Sequence, residues 1–572
     1  MDNSLKIWRV DVHDQSLAIE PIPERWKHLG GRGILAGILA DEVDPTCDPL
    51  GQDNKLVFAP GLFTGHMLSS IDRLSVGAKS PLTGGIKESN AGGRTGLQLT
   101  LLGIKALIIE NVPNDPGWWI IHLRSDGAHF LRCDELAGKG VYEAAKILLS
   151  RFGDKVAIAM IGPGGEMGLS AAGIQNIDKD RTPSRINARG GIGAVMGSKR
   201  LKAIIVDGYG GSKPPIADIE RFKLAQQVLN RSLAAHPVVN SFTDYGTAGM
   251  TMITNAFGSL PTRNFSSGQF EGADRISGEF MRQSLLSRGG ESKTTHACMA
   301  GCTIRCSNVY GDAEGKAIVS PLEYETIGLM GSNLGIDDLD MVAQLNWQVN
   351  DLGLDSIEIG GALGVSAEAG LMDFGDGEQA FKLLEEIRSG SALGRVIGNG
   401  AGITGQVYRV KRVPVVKNQV ISAYDPRAIK GTGVTYATSP QGADHTAGLT
   451  IRFKVDHLDP KIQAELSRKA QINMAGYDTI GACIFSGYGF GSAPELVKEF
   501  YESRFGVEVG DDILQVLGRE TLALERAFNI RAGFTALDDR LPKWMTTEPL
   551  PPFNSVFDVS EGDLDKVFDF TT

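Results

Sequence analysis

Two hydrophobic periods divide the chain. From residue 1 to about 210, apolar residues come in short runs closed by glycine: KLVFA (55–59), ALIIE (106–110), WWIIHL (118–123), VAIAMIG (156–162) and KAIIVDG (202–208). Runs of this length, rich in Val and Ile and bounded by turn residues, predict strands in a mostly sheet-built region with few long helices. Past the Gly/Pro cluster GYGGSKPPI (208–216) the spacing becomes helical, in IERFKLAQQVLNRSLAAH (219–236), MVAQLNWQVNDLGL (341–354) and EQAFKLLEEIRSG (378–390). A weaker break at RVPVVK (412–417) precedes a second helical stretch with loops at 424–448 and 476–493. The pattern predicts an α+β protein with a β-rich domain at 1–212 and two mainly helical domains at 213–415 and 416–572. No internal repeat of fixed period is visible. The one echo is Asn350-Asp-Leu-Gly-Leu-Asp355 against Asp478-Thr-Ile-Gly-Ala-Cys483, each following an apolar helix.

Composition narrows the picture. With 572 residues, 42% apolar and 22% charged, the chain can bury large cores and is not disordered. No apolar run approaches ~18 residues, so no membrane span is expected. The N-terminal MDNSLKIWRVDVHD alternates apolar and charged residues without a hydrophobic signal core, which predicts a first strand and a cytoplasmic protein. A net charge of −11 argues against nucleic acid as a partner. The 72 glycines are about 13% of the chain, against a usual ~7%. They follow no period of three and are interleaved with Val, Ile, Leu and Phe, so neither collagen nor a flexible linker accounts for them. Six segments concentrate them: 30–33, 60–65, 79–85, 89–94, 161–166 and 188–199. Glycine lets backbone N–H groups approach anionic oxygens, and Arg73, Arg94, Arg189 and Lys199 stand nearby in sequence to neutralise phosphate. None of the six matches a Walker loop or GxGxxG. Together they point to a large phosphorylated cofactor.

Cysteine is scarce, with six residues, yet three fall within nine positions at Cys298, Cys302 and Cys306. Closely spaced thiols suit a soft metal centre, either zinc or an iron–sulfur cluster. His296 would complete a zinc site, and the distant Cys483 a [4Fe–4S] site.

These motifs carry a family resemblance along essentially the whole chain. Lys79–Arg94 (KSPLTGGIKESNAGGR), Ala188–Lys199 (ARGGIGAVMGSK), Leu322–Thr326 (LEYET), the 350–355 and 478–483 pair and Ala437–His445 (ATSPQGADH) resemble the tungsten-containing aldehyde:ferredoxin oxidoreductases. The resemblance implies a β-rich base for a tungsten (or molybdenum) bis-pterin, with Mg2+ bridging the pterin phosphates and two helical domains closing over it. Cys298, Cys302, Cys306 and Cys483 would hold a [4Fe–4S] cluster, and Arg73 would bridge cluster and pterin. Asn90, Gly92, Gly93, Arg94, Arg185 and Arg189 would line the pterin base. Asn350, Asp351, Leu354 and Asp355 would hold one pterin; Asp478 and Ala482 would hold the other. Glu325 as base and His445 as donor or proton shuttle would act where substrate binds, with Glu323 the alternative to Glu325.

The implied activity is aldehyde oxidation, with electrons leaving to ferredoxin or an iron–sulfur subunit in a homodimer or hetero-oligomer. A related expectation is the catalytic subunit of a complex that reduces an aromatic thioester. A zinc-stabilised binding protein is the reading outside the family. Three positions depart from the family pattern. The first cysteine gap is Cys298-x3-Cys302 rather than x2, Asn350 fills an Asp position, and Ala482 fills a Leu position. Whether Asn350 or Asp351 meets the pterin is therefore open. No histidine lies between His296 and His445, so the inter-subunit mononuclear iron site of some members is expected to be absent, and any dimer would need another interface.

Overall fold

The computed structural model describes residues 5–571. Its N-terminal region is built from two six-stranded mixed sheets. The first holds β1 (Lys6–Asp11), β2 (Ser16–Glu20), β3 (Leu56–Pro60), β4 (Leu74–Lys79), β5 (Ile86–Ala91) and β6 (Ile104–Glu110), in spatial order β2-β1-β6-β3-β4-β5. The second holds β7 (Trp119–Arg124), β8 (Gly127–Arg132), β9 (Ala157–Met160), β10 (Ile174–Ile177), β11 (Pro183–Asn187) and β12 (Leu201–Val206), in order β11-β10-β9-β12-β7-β8. Read from its β8 end and counted from β7, the second order repeats the first. In each sheet only the first and last strands of the set pair in parallel, β1 with β6 and β7 with β12. Helices recur at matching places: Gly31–Glu42 and Val141–Phe152 before the third strand, Thr95–Leu101 and Ile192–Ser198 before the sixth. The region is thus a duplicated unit. No periodic sequence signal announces it, because a sheet order needs only the alternation of apolar and polar positions, which many unrelated sequences supply.

That alternation is visible in the cores. Along β3, Leu56 and Phe58 enter the apolar layer between the two sheets. Val57 and Ala59 face the opposite way, against Leu35 and Leu39 of the Gly31–Glu42 helix and Phe528 of the C-terminal Ile513–Arg531 helix. With both faces covered, β3 and β4 are buried throughout. This explains why β3 reads as a continuous apolar run. The remainder is mainly helical, and no helix among the described residues is long and apolar enough to cross a membrane.

The two echoed motifs are helix C-terminal caps. Helices Leu339–Leu352 and Gln463–Ile480 end on Gly353 and Gly481, at φ +71° and +82°. The N–H of the following residue reaches back five positions in both, Leu354 to the Val349 carbonyl (3.0 Å) and Ala482 to that of Tyr477 (2.8 Å). Each cap is seated on the equivalent glycine of one half of the duplicated unit. Gly61, just after β3, touches Gly481, while Gly162, just after β9, touches Leu352 and Gly353.

The segment after β3 is strapped to the second cap by backbone bonds from Leu62 and Phe63 N–H to the Thr479 and Ile480 carbonyls, and from Cys483 N–H to that of Ser70. Inside this strap Asp72 accepts the Gly65 N–H at 2.8 Å, while its second oxygen is buried without a partner. Burial pushes its carboxyl up to about 7. An acid whose folded pKa is raised stabilises the fold below its unfolded value and loses that contribution as pH rises through the folded one. Between about pH 4 and 7 the wild type should therefore lose up to ~4 kcal/mol from this group. Asp72→Asn should flatten that slope, measured as melting temperature against pH at a fixed scan rate. An unchanged slope would show that Asp72 does not titrate there.

Candidate active site

A cavity of about 590 Å3 opens where the end of β5, β11, the cysteine loop and both caps converge. That size lies within the ~300–1,000 Å3 typical of ligand sites. Arg73, Asn90, Gly92, Arg185, Cys298, Cys306, Glu325, Asn350, Asp355, His445, Asp478, Ala482 and Cys483 all line it.

The four cysteines are free; Cys298, Cys306 and Cys483 line the cavity, and Cys302 lies beside Cys298. Cys298 donates toward Cys302, and Cys302 also meets the Ser70 hydroxyl at 3.3 Å. Cys483, brought in by the second cap, interacts with Cys298 and Cys306. Burial and neighbouring thiols push Cys306 and Cys483 up; the buried Arg73 guanidinium pulls Cys298 and Cys483 the other way. Four neighbouring cysteine sulfurs beside a guanidinium are the donor chemistry of a metal–sulfur centre. His296 does not join them. Its Nε2 faces Asp180 at 2.8 Å and its Nδ1 faces Arg185 at 3.2 Å, so both ring nitrogens are engaged by residues other than the cysteines.

Glu325 sits in the short Tyr324–Thr326 helix, for which Glu323 is the N-cap residue. One Glu325 oxygen accepts the Ala423 N–H at 2.8 Å. The other has no hydrogen-bond partner and lies 3.4 Å from His445 Nε2. Burial pushes this carboxyl above its ordinary value, opposed by His445, the Ala423 N–H and Arg189. Glu323 lines the same cavity but is more exposed and stands 3.8 Å from Arg185. His445 Nδ1 meets Ser422 Oγ at 3.2 Å. The neighbouring Asp444 caps the turn that carries His445 and is held by buried Lys87 at 2.9 Å. Lys87, aided by Arg189, keeps that carboxyl far below the usual range despite burial.

The expected pterin residues divide by placement. Arg73 donates to both the side chain and the carbonyl of Asn90, and Asn90 faces the cavity. Arg185 reaches Ser307 at 2.9 Å and keeps a buried, unpartnered Nε. Asp355 caps the Ser356–Glu368 helix and meets Arg189 at 3.3 Å. Asp478 is paired with fully buried Arg32 at 3.2 Å; burial and Glu88 push its carboxyl up to about 8. Asn350 lines the cavity, whereas Asp351 turns away to Arg388 (3.0 Å) and the Tyr142 N–H (3.1 Å).

Four further expectations are not met by the placement. Arg94 points outward, donating to the Asp154 and Lys155 carbonyls. Leu354 is buried against Gly164. Arg189 is consumed by Asp355, Ser422 and the Val420 and Ala443 carbonyls. Lys199 is buried between the Asn54 and Asn111 carbonyls. Gly93 serves the cysteine loop, donating to the Cys298 carbonyl at 3.1 Å. Reading the sequence missed Ser422, Tyr424 and Arg452 of the lining and its surroundings, as well as Arg32 behind Asp478. Only Arg32, inside a glycine segment, carried any local signal.

Comparison with known proteins adds the family. The model of the aldehyde ferredoxin oxidoreductase N-terminal domain matches residues 7–208, and that of domains 2 and 3 matches 224–569. The tungsten-containing aldehyde ferredoxin oxidoreductase of Thermococcus kodakarensis is 32% identical over 93% of this chain and 89% of its own length. That of Pyrococcus furiosus is 32% identical over 95% and 90%. The aliphatic sulfonate oxidoreductase WOR-like subunit of Pyrococcus furiosus is 26% identical over 92% and 86%. The solved active-site complex BamBC of benzoyl coenzyme A reductase shares the fold, with a TM-score of 0.80 at 19% identity over 98% of this chain and 93% of that one. The chain therefore belongs to the aldehyde ferredoxin oxidoreductase family, a family of oxidoreductases.

Proposed function

We propose that the protein is a tungsten (or molybdenum) bis-pterin enzyme that oxidises aldehydes to carboxylic acids and delivers the electrons to ferredoxin or an iron–sulfur partner subunit. The observation that carries this reading is one cavity lined by both the converged cysteines and the Glu325–His445 pair. The names of the 32%-identical relatives support the metal and the substrate class.

The residues fit the implied groups. Asn90, Asn350, Asp355 and Asp478 offer amide and carboxylate groups to a pterin edge, and the unpartnered Arg185 Nε awaits an acceptor. Cys298, Cys302, Cys306 and Cys483 would hold the [4Fe–4S] cluster. When bound, the metal–pterin group supplies two-electron redox chemistry and the cluster passes electrons singly. The protein's own work is acid–base. An aldehyde and a water become a carboxylate, three protons and two electrons. Glu325 takes a proton from water through its unpartnered oxygen, and His445 donates to the carbonyl oxygen. The apolar walls keep bulk water from both.

Anaerobically purified protein should carry about one tungsten and four irons per chain, and reduce a viologen dye with some member of an aldehyde panel. Cys483→Ser should lower iron content while tungsten is assayed in parallel. One zinc and no iron, or iron unaffected by Cys483→Ser, would overturn the cluster assignment. No turnover of any aldehyde would favour reduction of an activated thioester.

A further inference from the structure

We infer that the outer end of the cavity recognises an anion, so that the preferred substrate is an aldehyde with an apolar body and a carboxylate or similar group remote from its carbonyl. The inference rests on the aldehyde-oxidising reading above and deepens it.

Glu325 and His445 lie in the less exposed part of the lining, where Glu323, Asp355 and Asp478 stand among Arg73 and Arg185. Its solvent-exposed residues, Val238, Ser241, Ile253, Thr446 and Arg452, mark the mouth. Tyr424 also lines the cavity, its ring centroid 5.9 Å from that of His445. The rest of the wall is largely apolar, with Phe242, Leu449, Ile451 and Phe485.

Arg452 is fixed without being neutralised. Its guanidinium stands 4.9 Å from the Tyr488 ring centroid and 5.3 Å from that of Phe485. It makes one long hydrogen bond, 3.5 Å to the Ile484 carbonyl. Among the described residues no carboxylate pairs with it within 4.0 Å, whereas Arg32, Arg189, Arg221, Arg288 and Arg427 all have such partners. Stacking on aromatic faces leaves the N–H edge of a guanidinium free for a planar oxyanion. An anionic end held at Arg452 leaves the formyl end to reach along the apolar wall toward Glu325 and His445.

The test uses holoenzyme with a viologen acceptor and two probes, 4-formylbenzoate and its neutral methyl ester. Wild type should favour the acid, and added salt should shrink that preference. Arg452→Gln should lower kcat/KM for 4-formylbenzoate about tenfold, chiefly through KM, and leave the ester within about twofold. Arg452→Lys should restore part of the loss. Iron content checks that both variants are assembled. Equal effects on the two probes, or no effect on either, would overturn the inference and leave the aldehyde reading standing. Failure of wild type to oxidise any aldehyde would overturn both.

Discussion

Glu325→Gln should lower kcat by about 10²–10⁴-fold, the range expected when a positioned general base is removed. Glutamine is isosteric and keeps an acceptor for the Ala423 N–H, so the short helix at Tyr324–Thr326 should hold its place. What it removes is the buried oxygen that faces His445 without a hydrogen-bond partner. Metal content should therefore match wild type while turnover collapses. Glu323→Gln is the internal control. Its carboxylate is more exposed, stands 3.8 Å from Arg185, and is remote in role from the Ala423 and His445 contacts. It should cost less than about tenfold. A reversed order would assign the base to Glu323. The pH profile gives a second readout. Burial raises the Glu325 carboxyl above the ordinary carboxylate value. A base works only when ionised, so kcat/KM should climb with pH through that raised value, and the acid limb should disappear in Glu325→Gln.

The sequence was most legible where period decided structure. The runs at 55–59 and 106–110 became β3 and most of β6, and the helical spacing at 219–236 became a helix over Ile219–Ala235. The convergence of Cys483 on the 298–306 loop was available only through resemblance. No local pattern relates residues some 180 positions apart, and it takes the cap at Gly481 to deliver that thiol. Cationic residues were read least well. Arg94, Arg189 and Lys199 looked like phosphate ligands beside glycines, yet each is spent on backbone carbonyls or carboxylates of the protein itself. Arg452 lay outside every glycine segment and passed unnoticed, because its chemistry comes from rings 33 and 36 positions away. The glycine surplus also changes meaning. Several of the conspicuous glycines, among them Gly61, Gly162, Gly165, Gly173, Gly193 and Gly197, meet protein backbone. Gly61 and Gly162 let the two helix caps press onto the duplicated scaffold, the other four let segments of its second half pack together, and the cavity forms at the junction of caps and scaffold.

Gly61→Ala and Gly162→Ala test that junction, and both should destabilise the protein by roughly 3 kcal/mol or more. A Cβ at Gly61 would lie 2.1 Å from Gly481 Cα and 2.5 Å from its nitrogen. At Gly162 it would lie 2.4 Å from the Leu352 carbonyl oxygen and 2.7 Å from Gly353 N. Each obstacle is backbone, which cannot swing aside as a side chain would. Gly491→Ala is the control, since nothing lies within 4 Å of its added Cβ, and Ala suits the Gly487–Ser492 helix better than Gly. It should be neutral or slightly stabilising. The two damaging variants should differ in chemistry. Gly61 supports the cap that carries Cys483 and the strap that carries Arg73, so Gly61→Ala should shed iron as well as lower the melting temperature. Gly162 supports the cap of Asn350, which holds no thiol, so Gly162→Ala should lower the melting temperature while iron content in the folded fraction stays near wild type. Parallel iron loss in both would mean that the two caps form one cooperative unit, and retention of iron in Gly61→Ala would detach Cys483 from the cluster.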